Sequence, residues 1–287
     1  MIPAAVRYTR PSTVDDAVAA LAGDEDAKVL AGGQSLIPLL RLRMAAPSVL
    51  VDLGGIAELR GVREDGDTLV IGAMTTHAAV LHDPLVARYA PLIGQATATV
   101  ADRQVRHLGT FGGSLAHADP AGDLPAVAVA LDATMEIAGT SGRRSVPATE
   151  FFVDYLTTVL QPGEVLVAVR VPKREGWGSH YEKFNRVAQA WALVGVAALV
   201  RRDNGTITEV RVGLTNMATT PVRARAVEDA LAGAAAEPDA VAAAAAHAAE
   251  GTSPSDDLSA SARYRTHLAK VLTERALRTA LGGSYAP

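Results

Sequence analysis

The chain contains no cysteine among its 287 residues. Disulfides are therefore excluded, and so is any iron–sulfur or zinc centre held by thiolates of this chain. An excess of one charge is also lacking, because 27 Lys and Arg stand against 31 Asp and Glu, for a net charge of −4. That balance gives no reason to expect nucleic acid or an anionic membrane surface as a partner.

Long apolar runs and secretory signals are absent as well. The longest apolar stretch, AWALVGVAALV at 190–200, is too short to span a bilayer. At the N-terminus, Arg7 and Arg10 are not followed by an apolar run, so we expect no signal peptide and a cytoplasmic protein. With 49% hydrophobic and 20% charged residues, the composition is that of ordinary globular proteins, and the length indicates two domains.

Two glycine-rich motifs in the first half carry most of the functional information. They lie in KVLAGGQSLIPLLRLR and in HLGTFGGSLAHADPAGDLPA, nearly eighty residues apart. Paired glycines let the backbone approach a ligand closely and turn several N–H groups inward, which suits a diphosphate. We expect the two motifs to form two walls of one cleft. The motifs are Ala31, Gly32, Gly33, Gln34 and Ser35, and Thr110, Phe111, Gly112, Gly113 and Ser114.

The patterns around the motifs predict alternating short strands and helices. Lys28–Ala31 reads as a strand that runs into the first motif, and Ser35 is a candidate cap of the helix LIPLLRLRMA. ELRGVREDGDTLVIGAMTT predicts a β-hairpin with its turn at Asp65-Gly66. Thr76 begins a helical segment that the prolines at 84 and 91 interrupt.

A polar, glycine-bearing segment at 172–178, PKREGWG, marks a domain boundary. The sequence after it predicts three strands, with a hairpin turn at Asn204-Gly205, and then alanine-rich helices from about Arg223.

Three segments together resemble a known family. KVLAGGQSLIPLLRLR, TFGGSLAHADPAGDLPA and YEKFNRVAQAWALVGVAA are similar to the FAD-binding medium subunits of the molybdenum hydroxylases, the xanthine dehydrogenase family. Within that family the chain looks most like the carbon monoxide dehydrogenase type. The resemblance runs the whole length and includes ELRGV at 58–62 and GLTNMATTP at 213–221.

The resemblance implies an α+β fold. Two α/β subdomains, at about 1–56 and 57–175, would clamp FAD in a PCMH-type FAD-binding domain spanning 1–175. Residues 176–287 would form a C-terminal domain of a three-stranded antiparallel sheet with helices.

The resemblance also implies the cofactor contacts. Residues 31–35 would hold the diphosphate through backbone N–H groups, and residues 110–114 would form the second wall. Asp123 matches an acidic residue near the ribityl and adenosine part, Lys183 a basic residue near the flavin ring, and Leu166 an apolar contact. The family's first loop often carries His where this chain has Gln34, so a side-chain role at position 34 stays open.

The implied function is electron transfer without a catalytic residue or metal ligand in this chain. FAD, bound non-covalently, would receive electrons from the [2Fe–2S] clusters of a small partner subunit. It would pass them to an external acceptor, a quinone or NAD. A large partner subunit would hold molybdopterin and oxidise the substrate. Alternatives to a carbon monoxide dehydrogenase are an N-heterocycle or purine/aldehyde hydroxylase, or a self-sufficient flavin oxidoreductase.

Several residues keep alternative interpretations. Asp123 could cap the helix that follows it, and Lys183 could be an outward-facing strand residue. His117, Asp119 and Asp123 have the spacing H-x-D-x3-D, but we expect no metal there because a proline and a glycine interrupt it. Arg41 and Arg43 could serve an anionic cofactor or a partner subunit, and the sequence does not separate these.

Overall fold

The structure, a computed structural model, describes residues 2–282. The N-terminal part is a three-stranded parallel sheet in the order β1-β3-β2, with two crossover helices. Thr13 caps the first helix by accepting a hydrogen bond from the Asp16 N–H, as its position in the sequence predicts. The elements are β1 (Arg7–Thr9), α1 (Val14–Ala22), β2 (Lys28–Leu30), α2 (Leu36–Leu42) and β3 (Val49–Asp52).

The next part is built on a five-stranded antiparallel sheet, in the order β4-β5-β10-β6-β7. Its strands are β4 (Val62–Asp65), β5 (Thr68–Gly72), β6 (Thr134–Gly139), β7 (Gly142–Pro147) and β10 (Val165–Pro172), and a small hairpin adds β8 (Phe152–Asp154) and β9 (Thr157–Thr158). The helices are α3 (His77–His82), α4 (Pro84–Tyr89), α5 (Pro91–Ala98), α6 (Arg103–Leu108), α7 (Phe111–His117), α8 (Asp123–Ala130) and α9 (Ala148–Phe151).

Local signals in the sequence explain these boundaries. Gly66 has a φ of +55° in the β4–β5 turn, which confirms the predicted hairpin. Thr76 caps α3, and Pro84 and Pro91 each begin a new helix, because proline is tolerated in the first turn and not further along. The long helical pattern after Thr76 is therefore several short helices.

The two N-terminal parts share hydrophobic packing across one face of the five-stranded sheet. Val14 and Val18 of α1 pack in one buried cluster with Val165 and Val167 of β10. The opposite face of that sheet, together with several of the helices that cover it, belongs to a second cluster. The parallel sheet is thus stabilised by its neighbour.

The C-terminal part is a four-stranded antiparallel sheet, where three strands were expected. The additional strand, β14, has only two residues after Pro221, too few for any hydrophobic alternation to reveal it. Asn204 and Gly205, both with positive φ, form the predicted hairpin turn. The elements are β11 (Gly178–Phe184), β12 (Val194–Asp203), β13 (Thr206–Thr215), β14 (Val222–Arg223), α10 (Arg225–Leu231), α11 (Pro238–Ala245) and α12 (Ala262–Ala280).

A close backbone contact and an ion cluster join the C-terminal sheet to the rest. A Cβ at Gly213 of β13 would overlap the Ala126 carbonyl of α8, so the strand and helix touch directly. Asp132, just after α8, accepts hydrogen bonds from Arg174, Arg211 and Arg223. No helix of the part of the chain that the structure describes has the length and apolarity needed to cross a membrane.

Candidate cofactor site

The two glycine motifs meet in space. A Cβ at Gly32 would lie 2.6 Å from Gly109 Cα and would overlap the Leu108 carbonyl oxygen. A Cβ at Gly113 would lie 3.3 Å from the Ala31 Cβ. Only glycine at position 32 allows this backbone contact, so the motifs are adjacent, as two walls of one cleft require.

The first motif presents a row of unused backbone donors. Within residues 2–282, the N–H groups of Gly32, Gly33, Gln34 and Ser35 donate to no protein acceptor. Gly33 has a φ of +75°, which glycine adopts readily. Ser35 occupies the N-cap position of α2 but makes no capping hydrogen bond, so the expected cap is not formed and its hydroxyl is available.

The Gln34 side chain has a local role that the sequence left open. Its Nε2 donates to the Gly32 carbonyl at 3.0 Å. This bond links the Gln34 side chain to the backbone two residues earlier in the same motif.

The second motif forms the N-cap and first turn of helix α7. Its backbone donors are already engaged: Phe111 and Gly112 donate to the carbonyls of Thr75 and Ala73, each at 2.9 Å. The N–H of Gly113 donates to Thr110 Oγ1, and that of Ser114 to the Thr110 carbonyl. The structure therefore distinguishes the motifs, because the free donors belong to the first alone.

Asp123 and Lys183 are brought together in a buried cluster at the junction with the C-terminal sheet. Lys183 Nζ lies 2.8 Å from Asp123 Oδ2, and both side chains are about 95% buried. The Tyr181 hydroxyl donates to Asp123 Oδ1 at 2.7 Å and contacts Thr215 Oγ1. Lys183 also donates to the Thr99 carbonyl at 3.2 Å.

This cluster decides two of the open interpretations. Asp123 makes no capping bond to α8, whose N-cap is Gly122, so the capping interpretation is wrong. Lys183 does not face outward from its strand. Burial raises the pKa of Asp123, and Lys183 and Tyr181 oppose that rise. Burial and the Asp123 charge raise the pKa of Tyr181 well above its usual range, so it stays a donor at neutral pH.

A cleft of about 430 Å³ opens beside Lys183. Its walls come from the segment around α6 and from the residues after β11, and they include Arg103, Arg106, Asn185 and Gln189. Arg106 donates to the carbonyls of residues 100 and 101, which makes it a brace of this wall. The lining carries three basic residues, Arg103, Arg106 and Lys183, against one acidic residue, Asp102.

The structure also places the remaining candidate residues, Leu166, His117 and Asp119. Leu166 is 5% exposed and packs in the core of the five-stranded sheet. His117 and Asp119 lie 4.0 Å apart, but the Asp123 carboxylate is occupied by Tyr181 and Lys183, so the H-x-D-x3-D pattern does not converge.

Sequence reasoning missed three residues that lie around the site, Tyr181, Gly195 and His77. Tyr181 lies two residues before Lys183 on one strand, a spacing that places both side chains on the same face. Gly195 leaves room for the Tyr181 hydroxyl, which a Cβ there would overlap. His77 is 4% exposed, with Nδ1 unpartnered, and its ring backs onto Gly109. Burial and Arg106 lower its pKa to about 4.

Comparisons with known proteins agree with this architecture. Residues 4–174 match the family model "FAD binding domain in molybdopterin dehydrogenase", and residues 179–280 match "CO dehydrogenase flavoprotein C-terminal domain". The chain is 42% identical to the carbon monoxide dehydrogenase medium chain of Hydrogenophaga pseudoflava over 98% of both chains. It is 37% identical to the nicotine 6-hydroxylase medium subunit of Paenarthrobacter nicotinovorans, over 95% of this chain and 96% of that one.

A solved structure shows the same fold. Carbon monoxide dehydrogenase from Hydrogenophaga pseudoflava, in a form lacking the Mo-pyranopterin moiety of the molybdenum cofactor, matches with a TM-score of 0.96 and 44% identity, over 98% of this chain and 99% of that one. The unused donors of residues 32–35 are the chemistry that a dinucleotide diphosphate requires. The chain belongs to the family of FAD-binding medium subunits of the molybdenum hydroxylases.

Proposed function

We propose that this chain is the FAD-carrying electron-transfer subunit of a molybdenum hydroxylase complex. It would take electrons from [2Fe–2S] clusters of a small partner subunit and deliver them to a quinone or NAD in the cytoplasm. A large partner subunit would hold molybdopterin and oxidise the substrate. When bound, FAD supplies the ability to accept electrons singly and release them in pairs.

The observation that carries the proposal is the row of four unused N–H donors at residues 32–35. A buried or half-buried donor without a partner is unfavourable, by about 1–3 kcal/mol, unless a ligand completes it. Four consecutive donors beside a free serine hydroxyl match the several oxygens of a diphosphate. The cleft beside Lys183, lined in part by Arg103 and Arg106, offers a second region for the rest of a long cofactor.

The contacts that we propose follow from this arrangement. Residues 31–35 would bind the diphosphate, and the second motif would act as a rigid wall that packs against it. Asp123 and Lys183 would act as one unit, since each already holds the other. The proposed cofactor-binding residues are Ala31, Gly32, Gly33, Gln34, Ser35, Thr110, Phe111, Gly112, Gly113, Ser114, Asp123, Leu166 and Lys183.

We also propose a division of the chain at residue 175, with the FAD-binding domain at 1–175 and the C-terminal domain at 176–287. The five-stranded sheet ends with β10 at Pro172, and the separate four-stranded sheet begins with β11 at Gly178. Within the first domain, the subdomains at about 1–56 and 57–175 share one buried cluster, so neither is expected to fold alone.

The need for partners rests on the missing cysteines. No thiolate-ligated cluster can form in this chain, so a relay of that kind must lie in another one. The chain matches a carbon monoxide dehydrogenase medium chain and a nicotine 6-hydroxylase medium subunit over nearly their whole lengths. We propose a carbon monoxide dehydrogenase as the parent complex, with a hydroxylase of N-heterocycles, purines or aldehydes as the alternative.

The first experiment tests the cofactor. The isolated chain, reconstituted with flavin, should bind FAD non-covalently and FMN poorly, because FMN lacks the diphosphate. Acid precipitation should release all flavin into the supernatant. A yellow pellet, or equal affinity for FMN and FAD, would contradict the assignment.

The second experiment tests the place in the complex. The isolated, FAD-loaded chain should oxidise neither carbon monoxide, purines nor N-heterocycles, while its flavin in the native complex should be reduced on addition of substrate. Bleaching of the flavin by one of these substrates in the isolated chain would instead favour a self-sufficient flavin oxidoreductase.

A further inference from the structure

A buried tyrosine completes the hydrogen bonding of the Asp123–Lys183 pair. Tyr181 is 5% exposed, and its hydroxyl donates to Asp123 Oδ1 at 2.7 Å, while Lys183 Nζ donates to Oδ2 at 2.8 Å. Thr215 Oγ1 lies 3.3 Å from the same hydroxyl. Each oxygen of the carboxylate therefore has its own donor, as a buried charge requires. Without the hydroxyl, Oδ1 would keep no protein donor in the part of the chain that the structure describes.

The pair presents only its positive end to the cleft. Lys183 lines the cleft of about 430 Å³, whereas Asp123 and Tyr181 do not. An ammonium group has three N–H donors, and Lys183 uses two of them, on Asp123 and on the Thr99 carbonyl. The third has no protein acceptor within residues 2–282. A nearly buried cation with a spare donor thus forms part of the cleft wall, and the carboxylate that balances its charge lies behind it.

Helix α6 connects this cleft to the first glycine motif. Arg103, at the start of the helix, lines the cleft, and the carbonyl of Leu108, at its end, lies against Gly32. A helix of six residues is roughly 9 Å long, so a cofactor whose diphosphate lies on residues 32–35 can extend one of its ends into the cleft. Of the two ends of FAD, only the flavin gains negative charge on reduction, so only there would a buried ammonium affect electron transfer.

We propose that Tyr181 is a positioning residue for the cofactor: through Asp123 it holds the Lys183 ammonium toward the flavin and thereby raises the reduction potential of the flavin. This inference rests on the proposed function. A positive charge beside the flavin favours the reduced state, because that state is the more negative one. Burial raises the pKa of Asp123, and the Tyr181 hydrogen bond is one of the interactions that oppose the rise. If the hydroxyl is removed, the carboxylate takes a proton from Lys183 or draws the ammonium toward itself, and either change reduces the positive charge at the cleft.

A purely structural role for Tyr181 makes a different prediction. In that case the hydroxyl would only stabilise the junction between α8 and the C-terminal sheet, and its loss would lower stability without acting through Lys183. A double-substitution cycle separates the two roles, because it measures whether the effect of one side chain depends on the presence of the other.

The first test is a redox titration of the flavin in the native complex, purified through a tag on this chain. Lys183→Met should lower the midpoint potential of the flavin, and Tyr181→Phe should lower it by a smaller amount. In the Lys183→Met background, adding Tyr181→Phe should cause no further shift. The matched control is Tyr89→Phe, which removes the hydroxyl of another buried tyrosine, in helix α4, whose ring contacts Lys173 rather than Lys183. That control should leave the potential unchanged.

The second test perturbs the same hydroxyl without removing a polar group. A Cβ at Gly195 would overlap the Tyr181 hydroxyl, so Gly195→Ala should push that hydroxyl away from Asp123 and lower the potential as Tyr181→Phe does. The affinity for FAD is an independent measurement. Lys183→Met should raise the dissociation constant of FAD roughly tenfold or more, since it removes a hydrogen bond from a charged donor, and Tyr181→Phe should raise it less.

The results that contradict this proposal differ from those that contradict the proposed function. An unchanged potential of Tyr181→Phe in an assembled, FAD-containing complex would overturn the positioning role, and so would an equal shift with and without Lys183. If Tyr181→Phe does not assemble, the shift of Gly195→Ala, alone and combined with Lys183→Met, decides in the same way. If Lys183→Met changes neither potential nor affinity, the flavin does not lie at the cleft and only the positioning role fails. If the native complex contains no FAD, the proposed function itself fails.

Discussion

The substitution Gly32→Ala tests the contact on which the candidate site depends. The added methyl group would lie 2.6 Å from Gly109 Cα and would overlap the Leu108 carbonyl. Carbon atoms in contact are separated by about 3.5–4.0 Å, so one backbone segment must move by roughly 1 Å. Both obstacles are backbone atoms, which cannot rotate away as a flexible side chain could.

A displacement of that size would disturb the row of N–H donors at residues 32–35. Hydrogen bonds of this kind keep their strength only over about 2.7–3.2 Å. Each bond to a charged acceptor contributes about 1.5–3 kcal/mol, so the loss of two would amount to about 3–6 kcal/mol. We therefore expect the dissociation constant of FAD to rise by about 10²- to 10⁴-fold.

Isothermal titration of the apo chain with FAD measures this effect directly, and circular dichroism checks that the fold is retained. Gly94→Ala is the matched control, because its Cβ would meet nothing within 4 Å and the residue lies inside helix α5. That control should bind FAD normally and gain about 0.5–1 kcal/mol of stability. If Gly32→Ala keeps normal affinity while folded, residues 31–35 do not hold the diphosphate.

Three other predictions concern the groups around the site. The pKa of His77 is about 4 in the folded chain, below its unfolded value of 6.5, so the unfolded chain binds the proton first and the free energy of unfolding should fall by up to about 3 kcal/mol between pH 6.5 and 4. Urea titrations should show a smaller fall for His77→Gln, and an equal fall in that variant would contradict the assignment. Lys183→Met leaves the Asp123 charge buried without its partner and should lower the free energy of unfolding by about 3–5 kcal/mol. In thermal melts, adding Asp123→Asn should restore most of that lost stability; no restoration would mean that the two side chains are not coupled. Asp132→Asn removes the carboxylate that Arg174, Arg211 and Arg223 share and, after allowance for its partial exposure, should lower the free energy of unfolding by about 1–3 kcal/mol. The control Asp229→Asn, on the exposed side of α10, should not change stability; equal melting temperatures for the two variants would show that the Asp132 cluster is dispensable.

The stability that the Asp132 cluster contributes should decrease at low pH. Burial raises the pKa of Asp132, but hydrogen bonds and charge from Arg223 and then Arg211 outweigh that effect and hold the pKa below its ordinary value. The stabilisation is therefore complete above the unfolded pKa of about 3.9 and is lost as the pH falls through the lower folded value.

Much of the fold was predictable because its signals are local. The hairpin turn at Asn204-Gly205 and the helix starts at Pro84 and Pro91 follow from the conformations that these residues favour. Strand β14 was missed for the opposite reason. The strand is defined by its pairing with Gly213 and Leu214, and a two-residue segment is too short for its own sequence pattern to indicate those partners.

The proximity of the two glycine motifs was predictable, whereas the hydrogen-bonding state of their N–H groups was not. Glycine pairs indicate close backbone approach, and the structure brings both pairs together. The sequence could not show that the N–H groups of Phe111 and Gly112 are already bonded to the carbonyls of Thr75 and Ala73, because those acceptors lie just after β5, nearly forty residues earlier. Nor could it show that Asp123 and Lys183 hold each other, since their contact depends on how α8 docks onto the C-terminal sheet.

The contrast between the motifs suggests why the site needs two of them. The second motif has its donors satisfied within the protein, and its Phe111 packs in the core. The first motif borders the lightly packed α2 and keeps its donors unsatisfied, at a cost of about 1–3 kcal/mol for each buried group. In the proposed complex, the oxygens of a diphosphate would accept hydrogen bonds from these donors and remove that cost. Because FAD would bind the folded chain and not the unfolded one, adding FAD should raise the free energy of unfolding.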